Sequence, residues 1–186
     1  MNKLRLIIFL LLCAFLMHSC KKDTVTATAY TSNLYQGYID EFEFAPDSLT
    51  TTVTYNAAAK TKVFQCIGTK AQKQIILSIT LQNADNSVGF TAGTYNIDGN
   101  LVTAQYNTQV KDQSGNYVFL PQGSVSAGSG SIAITSFDAV NKTITGSFTF
   151  YSRQTTYDGS GNVVSITVHD ITGGVFTTIP FSFVSN

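Results

Sequence analysis

Histidine, cysteine and glutamate are scarce in this chain, and so is charge of either sign. Only 12 % of the 186 residues are Asp, Glu, Lys or Arg, eleven of them basic and eleven acidic. Without a basic patch there is nothing to neutralise a phosphate backbone, so nucleic acid is not expected as a partner. The two histidines are His18 and His169, the two glutamates Glu41 and Glu43, and the three cysteines Cys13, Cys20 and Cys66. General acid–base catalysis draws on His or on a carboxylate whose pKa is raised by burial. The supply of both is small. No apolar run reaches the roughly 20 residues that a membrane-spanning helix needs.

The longest apolar run, Leu6 to Met17, has twelve residues and follows Lys3 and Arg5. That is the length of a signal-peptide apolar region behind a positive start. Ser19, Cys20 and the polar Lys21-Lys22-Asp23 come next. Residues Met17-His18-Ser19-Cys20 resemble the lipobox of bacterial lipoproteins, with Met17 where Leu is usual and a bulkier His18 before the small residue. The resemblance implies cleavage before Cys20, a diacylglyceryl (palmitate-type) thioether on its sulfur and acylation of the new amino group. Each buried CH₂ contributes about 0.8 kcal/mol and one chain alone holds marginally, so several chains on one residue make a durable anchor. Lys21, in place of the Asp that resembles an inner-membrane retention signal, implies residence at the outer membrane, on its periplasmic or its surface face.

Processing of this kind removes residues 1–19 and leaves 167 of the 186, with nine basic and eleven acidic side chains and a formal charge of −2. Cys13 leaves and Cys20 carries lipid, so Cys66 has no partner for an intramolecular disulfide. Cys66 and His169 are then the only soft metal ligands, too few for a zinc site of the usual multi-Cys/His kind. No metal and no other cofactor is expected.

Residues 20–33 are polar and small beyond the lipidated Cys20 and are read as a tether. From Leu34 the pattern is alternation at period two between turn residues. In Thr143–Tyr151 the residues Ile144, Phe148 and Phe150 share one face and Thr145, Ser147 and Thr149 the other. Gly146 falls on the apolar face, where a ring or backbone can approach closely. Ile75, Leu77, Ile79 and Leu81 form a second inward set; Val102, Ala104, Tyr106 and Val110 a third; Leu49, Val53 and Tyr55 a fourth. Further strands are expected over 62–68, 117–120, 131–137, 163–171 and 175–183. Asp98-Gly99, Asp112–Asn116, Asp138–Lys142 and Asp158–Asn162 carry hairpin chemistry. Residues 34–186 are therefore expected to form one all-β domain, an antiparallel β-sandwich or meander barrel of roughly 9–10 strands.

Ser131–Thr135, the turn Asp138–Thr143, the strand Thr145-Gly146-Ser147-Phe148-Thr149-Phe150 and the segment Ile171-Thr172-Gly173-Gly174-Val175-Phe176 form an ordered series. It resembles a family of small lipoproteins of the Bacteroidetes group, over about residues 60 to 183. The resemblance brings the anchor and the β-fold with it, and no activity.

No catalytic residue is expected. His169 alternates with Ser165 and Thr167 on a polar face, away from Val164, Ile166 and Val168, and reads as a surface histidine without an acid in reach. No Gly-x-Ser-x-Gly elbow occurs. Cys66, in phase with Phe64, reads as packing. Glu41 and Glu43 share one face of a segment whose Phe42 and Phe44 point inward, and read as an acidic strand edge rather than a glycosidase pair. Asp158–Asn162 is oxygen-rich but lacks the spacing and closing Glu of a calcium hand. Tyr30, Tyr35 and Tyr38 lie close to the tether, and Tyr151 and Tyr157 flank Arg153. Exposed rings of this kind could stack on sugar. The function expected is a non-enzymatic envelope module that binds a glycan or an envelope protein, or serves a structural role. The alternatives are a surface-associated glycan hydrolase and a carrier of a small apolar ligand in a barrel cavity.

Overall fold

The computed structural model describes residues 34–186, so the signal region, Cys20, the tether and Tyr30 lie outside the described residues. Those described form twelve strands in two six-stranded sheets, and neither sheet closes into a barrel. The architecture is a β-sandwich, and the barrel alternative is set aside.

The first sheet holds β3 (Ser48–Asn56), β4 (Thr61–Lys70), β5 (Lys73–Leu81) and β7 (Val102–Lys111), with β8 (Tyr117–Pro121) on one edge and β12 (Ser182–Ser185) on the other. Alternation sets its inner face and register aligns it. Val53, Phe64, Ile79 and Val102 lie in one row across four strands, and Thr51, Cys66, Leu77 and Ala104 in the next. The second sheet runs β2 (Phe42–Phe44), β1 (Tyr35–Ile39), β11 (Val163–Pro180), β10 (Thr143–Tyr157), β9 (Gly130–Asp138) and β6 (Gly93–Asn96). Its inner face presents Ile132, Ile134, Ile144, Phe148, Phe150, Ile171 and Phe176, all buried. The layers meet through Phe64 and Phe176, with ring centroids 6.1 Å apart, and Phe90 lies 5.9 Å from Phe64. Fully burying each such ring contributes about 1.5–3 kcal/mol.

The predicted turns form as their chemistry dictates. Asp112 and Asp158 close two like loops, each accepting backbone N–H groups with its Oδ1, while Gly115 and Gly161 take φ of 82° and 84°. The donors within its own loop hold the Asp158 carboxyl below the usual range, Asn162 first. A hairpin turn accounts for every oxygen-rich residue there.

β1 and β6 lie outside the expected strands, β12 takes the end of the one expected over 175–183, and β2 falls where the acidic strand edge was expected. β1, with five residues, and β6 and β12, with four, are too short for period two to stand out. β12 also pairs parallel with β3, a contact no local pattern announces. Gly173 and Gly174 do not divide two strands as their composition suggested. They sit at a register shift within the single β11, a bulge with Gly173 at φ 57°. Phe42, expected to point inward, is instead 73 % exposed, unlike the buried Phe44, and lines a surface cleft beside Lys70 and Lys73.

Candidate functional site

The strands β10 and β11 outlast the sheet that holds them. β9 leaves β10 at Phe150, and β1 leaves β11 at Ile171. Beyond those points Tyr151–Tyr157 pairs with residues 163–170 as a two-stranded arm, touched on one side by a bridge between Ser124 and Arg153. Parity decides which way each side chain turns. Phe150 and Ile171 are opposite one another in the core, so Ser152 and His169, two pairs further on, must face the same way. The polar face of the arm is therefore the inner one. The outer face carries Tyr151, Arg153, Thr155 and Tyr157 on β10 and Val164, Ile166 and Val168 on β11. The alternation was legible, but its sense is the reverse of an ordinary half-buried strand. Val168, Ile166 and Val164 are 46 %, 48 % and 63 % exposed, and Tyr151 and Tyr157 are 43 % and 60 % exposed.

The inner face is tied down at the base of the arm. Ser152 is buried, and its Oγ donates to the Gln122 carbonyl at 2.7 Å. His169 is not a free surface histidine. Its Nδ1 lies 2.7 Å from Asp40 Oδ2, and its ring meets Tyr106 edge-on at 5.2 Å. The second Asp40 oxygen accepts the Asp170 N–H at 2.9 Å, and the Asp40 N–H donates to the Asp170 carbonyl at 2.9 Å. Asp40 and Glu41 form the tight turn between β1 and β2 with φ of 51° and 69°. Such a turn favours Gly or Asn, and a non-Gly residue there costs on the order of 1 kcal/mol or more. The two bonds from the Asp40 carboxylate offset that cost. Burial, and then the Asp40 charge, push the Tyr106 hydroxyl pKa up.

The register sets Ser152 across from His169, and Asp40 meets the ring, the residue types of a nucleophile, base and orienting acid, an arrangement the sequence reading did not see. Asp40 and His169 are 129 residues apart and meet only through the β1–β11 pairing. The hydroxyl, however, is committed to the Gln122 carbonyl and closed to solvent, and so offers no attacking atom to a substrate. What the geometry performs is the fixing of the arm's angle against the first sheet.

The remaining candidates separate. Glu41 lines a surface cleft of about 410 Å³ with Asp40, Asp170 and Thr172. Glu43 lines another cleft of similar size with Phe42, Lys70 and Lys73. The two glutamates do not face each other across one cleft. Tyr35 is core, packed on Phe148 at 5.3 Å, while Tyr38 is exposed. Lys62, which alternation places among core side chains, reaches a loop and donates to the Gly89 carbonyl, Asp85 Oδ1 and Ser87 Oγ. It anchors residues 85–89 over the edge of the core. No cluster of three or more His, Cys, Asp or Glu suited to a metal occurs among the described residues.

Cys66 is fully buried, and burial pushes its thiol up to about 12. At pH 8 it is therefore protonated and unreactive. Iodoacetamide should leave it unmodified in the folded protein and alkylate it in 6 M guanidinium, as peptide mass mapping would read. Rapid alkylation under native conditions would contradict its packing.

No family model matches the chain, and no curated protein and no solved structure is similar to it.

Proposed function

We propose that the chain is a lipoprotein anchored through Cys20 whose β-sandwich is a non-enzymatic binding module of the cell envelope, with the outer face of the β10–β11 arm as its binding surface. The observation that carries this is the inverted arm. It turns Val164, Ile166, Val168, Tyr151 and Tyr157 to solvent while the Ser152 hydroxyl and the His169 imidazole are spent inside at its base. Exposed apolar groups gathered on one face mark contact surfaces. Tyrosine flanking Arg153 adds the residue types that dominate binding energy.

The arm runs well beyond the body of the second sheet. The chain enters the second sheet at Leu34, whose carbonyl accepts from the Thr177 N–H, and Tyr35 pairs with Phe176. The arm's tip is the Asp158–Asn162 turn. Thirteen residues of β11 separate Val163 from Phe176, about 43 Å at 3.3 Å per residue. The arm therefore offers a surface clear of the sandwich body to an envelope protein. Aliphatic β-branched residues beside the tyrosines favour a protein over a sugar as that partner. Outer-membrane residence belongs to the same reading and rests on Lys21.

The test replaces Tyr151 and Tyr157 with alanine together in the full chain. Proteins crosslinked to it in intact cells should fall roughly tenfold, the equivalent of about 1.4 kcal/mol. Thermal stability should stay unchanged. Unaltered crosslinking would defeat the arm as binding surface. Turnover of a glycosidase, esterase or peptidase substrate that vanishes with His169→Ala, or with Glu41→Gln and Glu43→Gln together, would establish the hydrolase alternative instead.

A further inference from the structure

The geometry points to a second copy of this chain as a partner, paired edge to edge with the arm, antiparallel and two-fold about Ile166. The inference deepens the reading of the arm as a binding surface and does not depend on the lipid anchor.

The two edges of the arm differ. On the β10 side, the Tyr151 N–H donates to the Ser129 carbonyl, and Arg153 exchanges both backbone bonds with Ser124. On the β11 side, pairing stops at Asp170, whose N–H and carbonyl are both taken by Asp40. Residues alternate in the direction of their backbone groups, so Val168 and Ile166 turn N–H and C=O to the same side as Asp170, with the register shift against Tyr157 falling beyond them at Val164. No backbone bond reaches them there among the described residues. The open edge runs over residues 163–169, seven in all.

Other strand ends in the sandwich are short or guarded. β2 has three residues with Glu43 among them, β6 has four, and β8 ends on Pro121. The arm's edge has neither a charge nor a proline from Val163 to Val168. Soluble proteins blunt such edges, because an open one is a template for another strand. Val163-Val164-Ser165-Ile166-Thr167-Val168 is a β-favouring, uncharged segment left open.

The sequence of that edge says which strand fits. Val164-Ser165-Ile166-Thr167-Val168 reads nearly the same in both directions. An antiparallel mate about Ile166 sets Ile166 against its own copy, Val164 against Val168, and Ser165 against Thr167. Valine and isoleucine then line one face of a four-stranded ribbon, and hydroxyls line the other. No like charges meet at the two-fold, where a charged residue would meet its own copy. The seven open residues are also centred on Ile166, so the mate's strand fills the gap up to Asp40 without displacing β1. A foreign strand would need none of this symmetry. The contact is one strand edge, far below the roughly 800 Å² per partner of a standard interface, so the pair should be reversible and concentration-dependent.

Cysteine pairing in the full chain tests the register. Directly opposed residues of a hydrogen-bonded antiparallel pair have Cα atoms about 5.5 Å apart, inside disulfide range. Ile166→Cys should give a disulfide-linked dimer on mild oxidation of intact cells, above the background of the unaltered chain. Val164→Cys alone and Val168→Cys alone should not, being displaced by four residues, about 13 Å, from their own copies. The two co-expressed should crosslink to each other. Adding Ile166→Lys to both should cut that yield roughly tenfold with no change in circular dichroism. Failure of Ile166→Cys to dimerise, or equal crosslinking by all three single variants, overturns the pairing. Partner loss in the Tyr151→Ala, Tyr157→Ala protein alongside a monomeric Ile166→Cys would keep the arm as a binding surface and reject only the self-pairing.

Discussion

Gly146→Ala is expected to destabilise the sandwich by more than about 3 kcal/mol. A Cβ at Gly146 would lie 2.1 Å from the Ala133 carbonyl oxygen and 2.4 Å from the Phe176 ring. Neither can give way. The oxygen belongs to the adjoining strand β9, and Phe176 is fully buried between Phe64 and Phe148. The motif is doubled with its members exchanged: Gly146 stands opposite Phe176, and Phe148 stands opposite Gly174. Each phenylalanine lies over the glycine of the neighbouring strand, and the two rings stack at 6.5 Å. A glycine within a strand costs about 0.5–1 kcal/mol in conformational entropy, and here that loss makes room for two aromatic rings.

The two glycines should not respond equally. At Gly174 the three atoms nearest the added methyl all belong to the Phe148 ring, at 2.5–2.6 Å, so no neighbouring backbone atom stands as close as the Ala133 carbonyl does at Gly146. Gly174→Ala should therefore cost less, about 1–3 kcal/mol. Gly159→Ala, with no atom within 4 Å of the new carbon, should stay within about 0.5 kcal/mol. For a domain of this size 3 kcal/mol lowers Tm by roughly 6–12 °C. Thermal melts of the three variants give the ranking directly, and equal melting of Gly146→Ala and Gly159→Ala would refute the packing argument.

Position Gly146 also shows how far the sequence could be read. Its place on an apolar face announced a close approach, and the approach is there. The inward sets Leu49/Val53/Tyr55 and Ile75/Leu77/Ile79 are buried as alternation requires, because both lie on strands with a second sheet across from them. Alternation assigns residues to faces, however, and does not say what stands before each face. In 163–170 it separated Val164, Ile166 and Val168 from His169 correctly. The arm leaves the sandwich there, so the apolar face looks into solvent. A hint was available in β11 itself: parity counted back from Ile171 places His169, not Val168, on the core side, provided the strand is continuous through that point. The Asp40–His169 contact had no local signal. Asp-Glu is a poor pair for a tight turn, and only the β1–β11 pairing reveals that the Asp40 carboxylate is occupied on both oxygens. Lys62 escaped because a long side chain can start among core residues and end at a loop carbonyl.

Cys20→Ala should abolish lipid labelling altogether, the second large effect expected of a single substitution. Cys20 alone of the three cysteines follows an apolar run of signal length and precedes a polar stretch. Cys13 lies within that run, and Cys66 is fully buried with its thiol protonated. Neither can substitute. Acyl chains contribute about 0.8 kcal/mol per buried CH₂, so removing all of them takes away the whole affinity of the mature chain for the bilayer. In cells fed labelled palmitate, Cys20→Ala should carry no label and should accumulate as a precursor longer by the 19 signal residues. Cys13→Ser and Cys66→Ser should both label normally. The described fold begins at Leu34, fourteen positions beyond the substitution, and includes no residue of the tether. The melting of the domain should therefore be unchanged, which separates loss of the anchor from loss of the fold. Label retained by Cys20→Ala, or lost in Cys66→Ser while the domain melts normally, would move the lipid to another side chain.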